Sequence, residues 1–109
     1  MAGSAASVRK PNAPASIGDA IRARRRLSFS YGGHLRVVEP HIHGVDTTGQ
    51  VALSAYQVRG GSQTAEPVGW KHFRLDDVRR LAVLDETFSG PRPDYNRADK
   101  TFMVVYSQL

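Results

Sequence analysis

Trp70, His72 and Arg74 set an indole, an imidazole and a guanidinium at alternate positions of one short stretch. In an extended chain, side chains two residues apart share a face. Such a face can stack on a planar group and bind an anion. The residues between them, Lys71, Phe73 and Leu75, fall on the other side, which predicts a half-buried strand with Phe73 and Leu75 toward the core. Lys71 or His72 is a further cation for such a site, and Tyr56 an alternative stacking surface to Trp70. Asp76-Asp77 follows at once, and an Asp there can cap a single helical turn carrying Val78 and Leu81.

A second constellation is Glu39-x-His41-x-His43, a carboxylate and two imidazoles on one face of a strand. Two His and a carboxylate form a known catalytic metal set. Three successive same-face ligands, however, span roughly 13 Å at about 3.3 Å per residue, so Glu39 and His43 meet on one ion only if Pro40 bends the strand. The expectation is surface or rim histidines, with no metal and no cofactor. A third feature is the run Arg24-Arg25-Arg26. It reads either as a solvated helix end that favours the dipole or as a phosphate-contacting patch. No cysteine, no Gly-x-Ser-x-Gly and no phosphate-loop pattern is present, so nothing sets a nucleophile beside a base. The expectation is a protein that is not an enzyme.

The chain that must hold these groups has 109 residues, room for one domain with a marginal core. The absence of cysteine excludes disulfides and thiolate metal sites and fits a reducing cytoplasm. No apolar run approaches the ~18 residues of a membrane span, and the first residues lack a secretory pattern. Residues 1–36 hold seven cations against Asp19 alone, a net +6, whereas residues 37–109 hold eight cations and nine carboxylates, a net −1. A basic first third hints at an anionic partner.

Residues 1–15, with Pro11, Pro14, Arg9 and Lys10, read as a disordered basic arm. Ser16-x-x-Asp19 is a capping-box-like helix start, with Ile17, Ala20 and Ile21 on one face and an end near Arg24 to Arg26. Leu27-Ser28-Phe29-Ser30-Tyr31, Gly32-Gly33 and Leu35 to His43 read as a hairpin, with Pro40 requiring an edge or a bulge. Further strands are expected over 51–58, 70–75 and 81–84. Five short strands at near-regular spacing suggest a small barrel. Residues 86–109 read as an irregular segment pinned by Phe88 and Tyr95, then a terminal strand, Thr101-Phe102-Met103-Val104-Val105-Tyr106. That strand is expected to pair with the barrel's open edge or with another chain's edge.

Read end to end, residues 17–84 resemble a WYL domain. Ile17-Gly18-Asp19-Ala20-Ile21 matches the family's opening "I-x-x-A-I" helix, and Phe29-Ser30-Tyr31-Gly32 its strand ending in an aromatic and a Gly turn. Arg36-Val37-Val38-Glu39-Pro40 matches "R-x-V-x-P", and Phe73-Arg74-Leu75-Asp76-Asp77-Val78 matches "F-R-L-D-x-I". The naming Trp-Tyr-Leu falls at Val51-Ala52-Leu53, where only Leu53 agrees, followed by the usual Ala55-Tyr56. The resemblance implies a mainly-β fold: an SH3-like, Sm-like barrel over residues 16–85 with a short N-terminal helix. It also implies a bacterial regulatory module that senses nucleotides or nucleic acids, often beside a helix-turn-helix that this chain has no room for. Arg36 and Arg74 occupy family positions, which makes Arg36, Arg74 and Lys71 or His72, with Tyr56 or Trp70, the expected anion site. The alternative expectation is a protein–protein module, a homodimer through Thr101 to Tyr106.

Overall fold

A computed structural model describes residues 17–109. The cap expected of Ser16 and the arm over residues 1–15 lie outside them. Helix α1 spans Ile17–Ala23 and buries Ile17, Ala20 and Ile21, three residues whose spacing puts them on one side. It ends where Arg24 takes a left-handed backbone, φ 56°. That leaves Arg24 outside the helix, and Arg25 and Arg26 in the next strand.

Six strands follow: β1 Arg25–Tyr31, β2 His34–Asp46, β3 Val51–Gly60, β4 Gly69–Arg74, β5 Arg79–Thr87 and β6 Phe102–Gln108. All pairings are antiparallel. The β1–β2 turn is Gly32-Gly33, with φ 59° and 81°, positive angles that a tight two-residue hairpin requires and glycine adopts freely. Between β4 and β5 the chain makes one 3₁₀ turn, Leu75–Asp77, without a side-chain cap. The cap is not an Asp as expected: Arg74 holds that position in an extended conformation.

The strand order is β4-β3-β2-β1-β5, with β6 off that path beside β2. At 13 residues β2 is long enough to serve two neighbours on one edge. Its first part, His34–Val38, pairs β1, and Ile42–Asp46 pairs β6. Close approach of β6 depends on Gly44: a Cβ there would lie 2.0 Å from the Val104 carbonyl oxygen. β5 is longer than expected because it runs antiparallel to β1 as far as Thr87 opposite Arg25.

One face of the sheet packs against α1. Leu27, Phe29, Val38, Leu53, Ala55 and Phe73 are buried there with the helix residues. Phe29, Tyr31 and Phe73 meet edge to face, with centroids 4.9 to 6.5 Å apart. Each such ring contributes about 1.5–3 kcal/mol by burial. Residues 88–101 cross the opposite face as a strap, where a smaller core forms from Ile42, Ala52 and Phe102 with Tyr95 against it. No helix among the described residues is long and apolar enough to cross a membrane.

Candidate functional site

The strap face collects most of the polar chemistry, and a bulge in β2 decides what reaches it. Pairing with β3 shifts register between Pro40 and Ile42. His41 is the extra residue, so Glu39, His41 and Ile42 all turn toward the strap while His43 goes to the other side. There His43 pairs with Leu53 and its ring meets Tyr106 at 5.3 Å. The expectation of Glu39, His41 and His43 on one face is therefore corrected: the bulge that Pro40 required also reverses the alternation. The described residues contain no group of three His, Asp or Glu placed to hold a metal ion. Nor is His41 at a rim, since it is fully buried, whereas His43 is half-buried.

His41 is held by two hydrogen bonds that fix its tautomer. Nδ1 donates to the Glu39 carbonyl at 2.9 Å, and Nε2 accepts from the Arg92 backbone N–H at 3.1 Å. A neutral ring satisfies both. Burial lowers the His41 pKa, against the opposing pull of Glu39, so the neutral form is retained. Around it stand Trp70, Phe88 and Tyr95, with ring centroids 4.6, 5.9 and 4.9 Å away.

Next to His41, the buried Glu39 carboxylate takes both neighbouring guanidiniums. Arg26 reaches Oε2 through Nε and Nη2 at 3.1 and 2.9 Å, and Arg92 reaches Oε1 through Nε at 2.7 Å. Burial raises the Glu39 pKa, but the bonds from Arg92 and Arg26 more than offset it, so the carboxyl sits below its ordinary range. Arg26 continues to Glu86, which also binds Arg59 at 2.6 Å. Arg92 lies 4.3 Å from the centre of the Tyr56 ring.

The β4 row is where alternation predicts it. Phe73 is buried against α1, while Trp70 and His72 face the strap. Trp70 is opposite Tyr56 across the β3–β4 ladder, with centroids 5.7 Å apart. The Tyr95 ring lies within 19° of parallel to Trp70 at 6.1 Å. His72 Nε2 is 3.0 Å from Asp46 Oδ2. Asp46 Oδ1 accepts the Thr48 hydroxyl and the Thr48 and Gln50 N–H groups. Bonds from Thr48 and then His72 hold the Asp46 carboxyl far below the ordinary range. Arg74 is exposed, and among the described residues its guanidinium has no ion-pair partner.

Three of the expected site residues are therefore neighbours, Trp70, His72 and Arg74, with Tyr56 beside Trp70. Two are elsewhere. Arg36 is 4% exposed on the α1 face, where Nε and Nη2 donate to the Tyr31 carbonyl, Nη1 donates to Gln57, and the group lies over Tyr31 and Phe73. Lys71 points away from the strap and ties the loop before β4 through the Glu66 carbonyl at 2.6 Å. The three consecutive arginines diverge. Arg24 donates to the Ser89 carbonyl, Arg25 to the Leu84 carbonyl and Asp85, and Arg26 to Glu39 and Glu86. No shared patch results, because a left-handed residue followed by a strand sends successive side chains to different sides.

Two hollows flank the row. One of about 170 Å³ is lined by Ile42, Ser54, Trp70, Asp94, Tyr95, Asn96 and Asp99. The other, of about 430 Å³, is lined by Asp46, Thr47, Thr48, His72, Arg74 and Thr101. Arg92 and Asp46 carry no local signal of their roles. Arg92 meets Glu39 across 53 residues of chain and Asp46 meets His72 across 26, separations that no spacing rule covers. No family model matches this chain, and neither does any curated protein or solved structure.

Proposed function

We propose that this chain is a bacterial, cytoplasmic regulatory module that binds a nucleotide or a short single-stranded nucleic acid on the strap face. The observation that carries the reading is the exposed Arg74, without an ion-pair partner among the described residues, at the mouth of the larger hollow beside His72. Thr47 brings a hydroxyl to the same hollow, so a phosphate would meet a cation and a neutral donor, whereas the Thr48 and Thr101 hydroxyls donate to Asp46 and Asp99. Trp70 lies on the same strand face, a ring on which a base can stack. Asp46 is the one carboxylate there, and its oxygens are taken up by Thr48, Gln50 and His72. The WYL-like motif order supports this reading. The antiparallel sheet with α1 packed on one face supports an SH3-like, Sm-like barrel as its frame. Its action is binding rather than catalysis.

Fluorescence anisotropy of labelled single-stranded RNA and DNA across a salt series tests it. Binding should weaken with salt at a log–log slope of several ions. Arg74→Ala should weaken it by about 1–3 kcal/mol, five- to 150-fold, with an unchanged thermal midpoint. Equal affinity of the variant would remove Arg74 from the site, and no binding at low salt would remove the reading.

A second reading rests on β6. Met103, Val104, Val105 and Tyr106 are exposed in succession, at 62, 46, 42 and 56%. The strand carries no charge and no proline, the devices that normally keep an edge from pairing. We read it as the pairing edge of a homodimer, in which two copies of β6 add across a two-fold axis. Light scattering on a size-exclusion column should then give twice the chain mass. Val104→Lys should give the monomer; a monomeric parent at high concentration would dismiss this reading.

A further inference from the structure

We infer that the larger hollow is a ribose site, in which His72 accepts a hydrogen bond from a sugar hydroxyl and so selects RNA over DNA. This rests on the nucleotide reading above and names the sugar it takes. His72 Nε2 lies 3.0 Å from Asp46 Oδ2. A carboxylate only accepts hydrogen bonds, so Nε2 carries the ring proton, and the neutral ring leaves Nδ1 as a lone pair. The pairing is fixed from both partners. The Asp46 side chain is 8% exposed, and its Oδ1 is held by the Thr48 hydroxyl and by the Thr48 and Gln50 N–H groups, which leaves Oδ2 to His72. The His72 ring is tilted against Phe102, with centroids 5.6 Å apart. Its side chain is 40% exposed and lines the hollow, and Nδ1 has no partner among the described residues.

Two hydroxyls of the lining have the same sense. Thr48 Oγ1 donates to Asp46 at 2.6 Å and Thr101 Oγ1 donates to Asp99 at 2.7 Å. A hydroxyl has one proton to give, so both oxygens can only accept from a ligand. Arg74 supplies positive charge to the same hollow. The ligand matched to this lining carries an anion and, beside it, a hydroxyl that donates. A phosphate next to a ribose is that pair. Within a strand, a phosphate next to a deoxyribose lacks the donor, and the 2′-hydroxyl is the group by which a protein tells RNA from DNA.

Spacing supports the same assignment. His72 is one strand repeat from Arg74, roughly 7 Å along β4 at about 3.3 Å per residue. The sugar is the next unit of a strand after its phosphate, so a phosphate at Arg74 sets the sugar toward His72. At about 430 Å³ the hollow falls within the size range of small-ligand sites.

The test measures anisotropy of three labelled strands of one thymine-free sequence with the full chain: RNA, DNA and 2′-fluoro RNA. Fluorine keeps the sugar pucker of RNA but has no proton to donate, so it separates the hydroxyl from the shape of the strand. RNA should bind about tenfold more tightly than either of the others, the scale of one hydrogen bond. In His72→Phe, which keeps a ring against Phe102, the ratio of RNA to DNA affinity should fall to near one. Equal binding of RNA and 2′-fluoro RNA overturns the ribose site, and the binding face still stands if Arg74→Ala weakens both. A preference for RNA that survives in a folded His72→Phe variant also overturns it. No binding of any strand at low salt overturns the nucleotide reading and the ribose site with it.

Discussion

Glu39→Ala is expected to lower the thermal midpoint more than any other single substitution on the strap face. The Glu39 side chain is 2% exposed, and it takes charge-assisted bonds from two arginines that are themselves 24 and 36% exposed. Removing it leaves Arg92 without a counter-charge and Arg26 with Glu86 alone. Breaking a buried pair in this way costs about 3–5 kcal/mol. For a domain near 100 residues that is a fall of roughly 12 °C or more. The loss has a second route, because Arg92 also supplies the N–H that His41 accepts. With Arg92 released, the strap loses its anchor beside Trp70, so Trp70 emission should change before the sheet melts. Calorimetry with fluorescence on the same variant reads both effects. A midpoint within a few degrees of the parent would mean that the two arginines are solvated surface groups.

The same carboxylate sets an acid limit. Its pKa is lowered in the folded chain, so its contribution is complete above the unfolded value of about 4.3 and is lost as pH falls through the lower folded value. Asp46 shifts in the same direction and adds to that loss. The Glu39→Gln variant should therefore start less stable and lose less on acidification than the parent.

Arg36→Ala is expected to unfold the domain more readily without touching the binding face. Its guanidinium satisfies the Tyr31 carbonyl at 3.0 and 3.2 Å and the Gln57 Oε1 at 3.3 Å, while Gln57 is fully buried. Removal leaves two acceptors under the sheet without donors, at about 1–3 kcal/mol each. It also uncovers Tyr31 and Phe73, over which the group sits at 5.4 and 5.6 Å. The two acceptors alone sum to about 2–6 kcal/mol. Arg36→Lys should restore little, because the shorter ammonium lacks the planar fork that holds the Tyr31 carbonyl through two N–H groups while a third reaches Gln57. Oligonucleotide affinity measured well below the midpoint should equal that of the parent. A weakened affinity in a stable Arg36 variant would return Arg36 to the binding site and remove its purely structural role. Arg36 and Arg74 are thus expected to separate cleanly, one altering stability and the other binding.

Local rules made much of the sheet legible. Strand alternation placed Phe73 inward and Trp70 with His72 outward, and Gly32-Gly33 marked the hairpin, because both depend only on backbone geometry over a few residues. Pro40 signalled an irregularity in β2 for the same reason, the missing N–H. Its consequence was not legible: a bulge adds one residue, and one residue is enough to send His43 to the opposite face from Glu39.

Residue type marked Lys71 and Arg24 to Arg26 as anion-binding candidates, and the WYL-like motif marked Arg36, but a guanidinium or ammonium reads the same in a core, a loop or a cleft. What each one does was decided by the groups that folding brings to it, five residues away for Tyr31 at Arg36 and Glu66 at Lys71, and much farther for Gln57 at Arg36 and for Glu39, Ser89 and Asp85 at the arginine run. The order of neighbouring residues set the period of the strands, the tight turn and the row Trp70, His72, Arg74. Which of the candidate cations are internal, and that Arg74 stays exposed, came from folding. Periodicity is a property of neighbouring residues, whereas a charge acquires its role from whichever partner folding brings within hydrogen-bond reach.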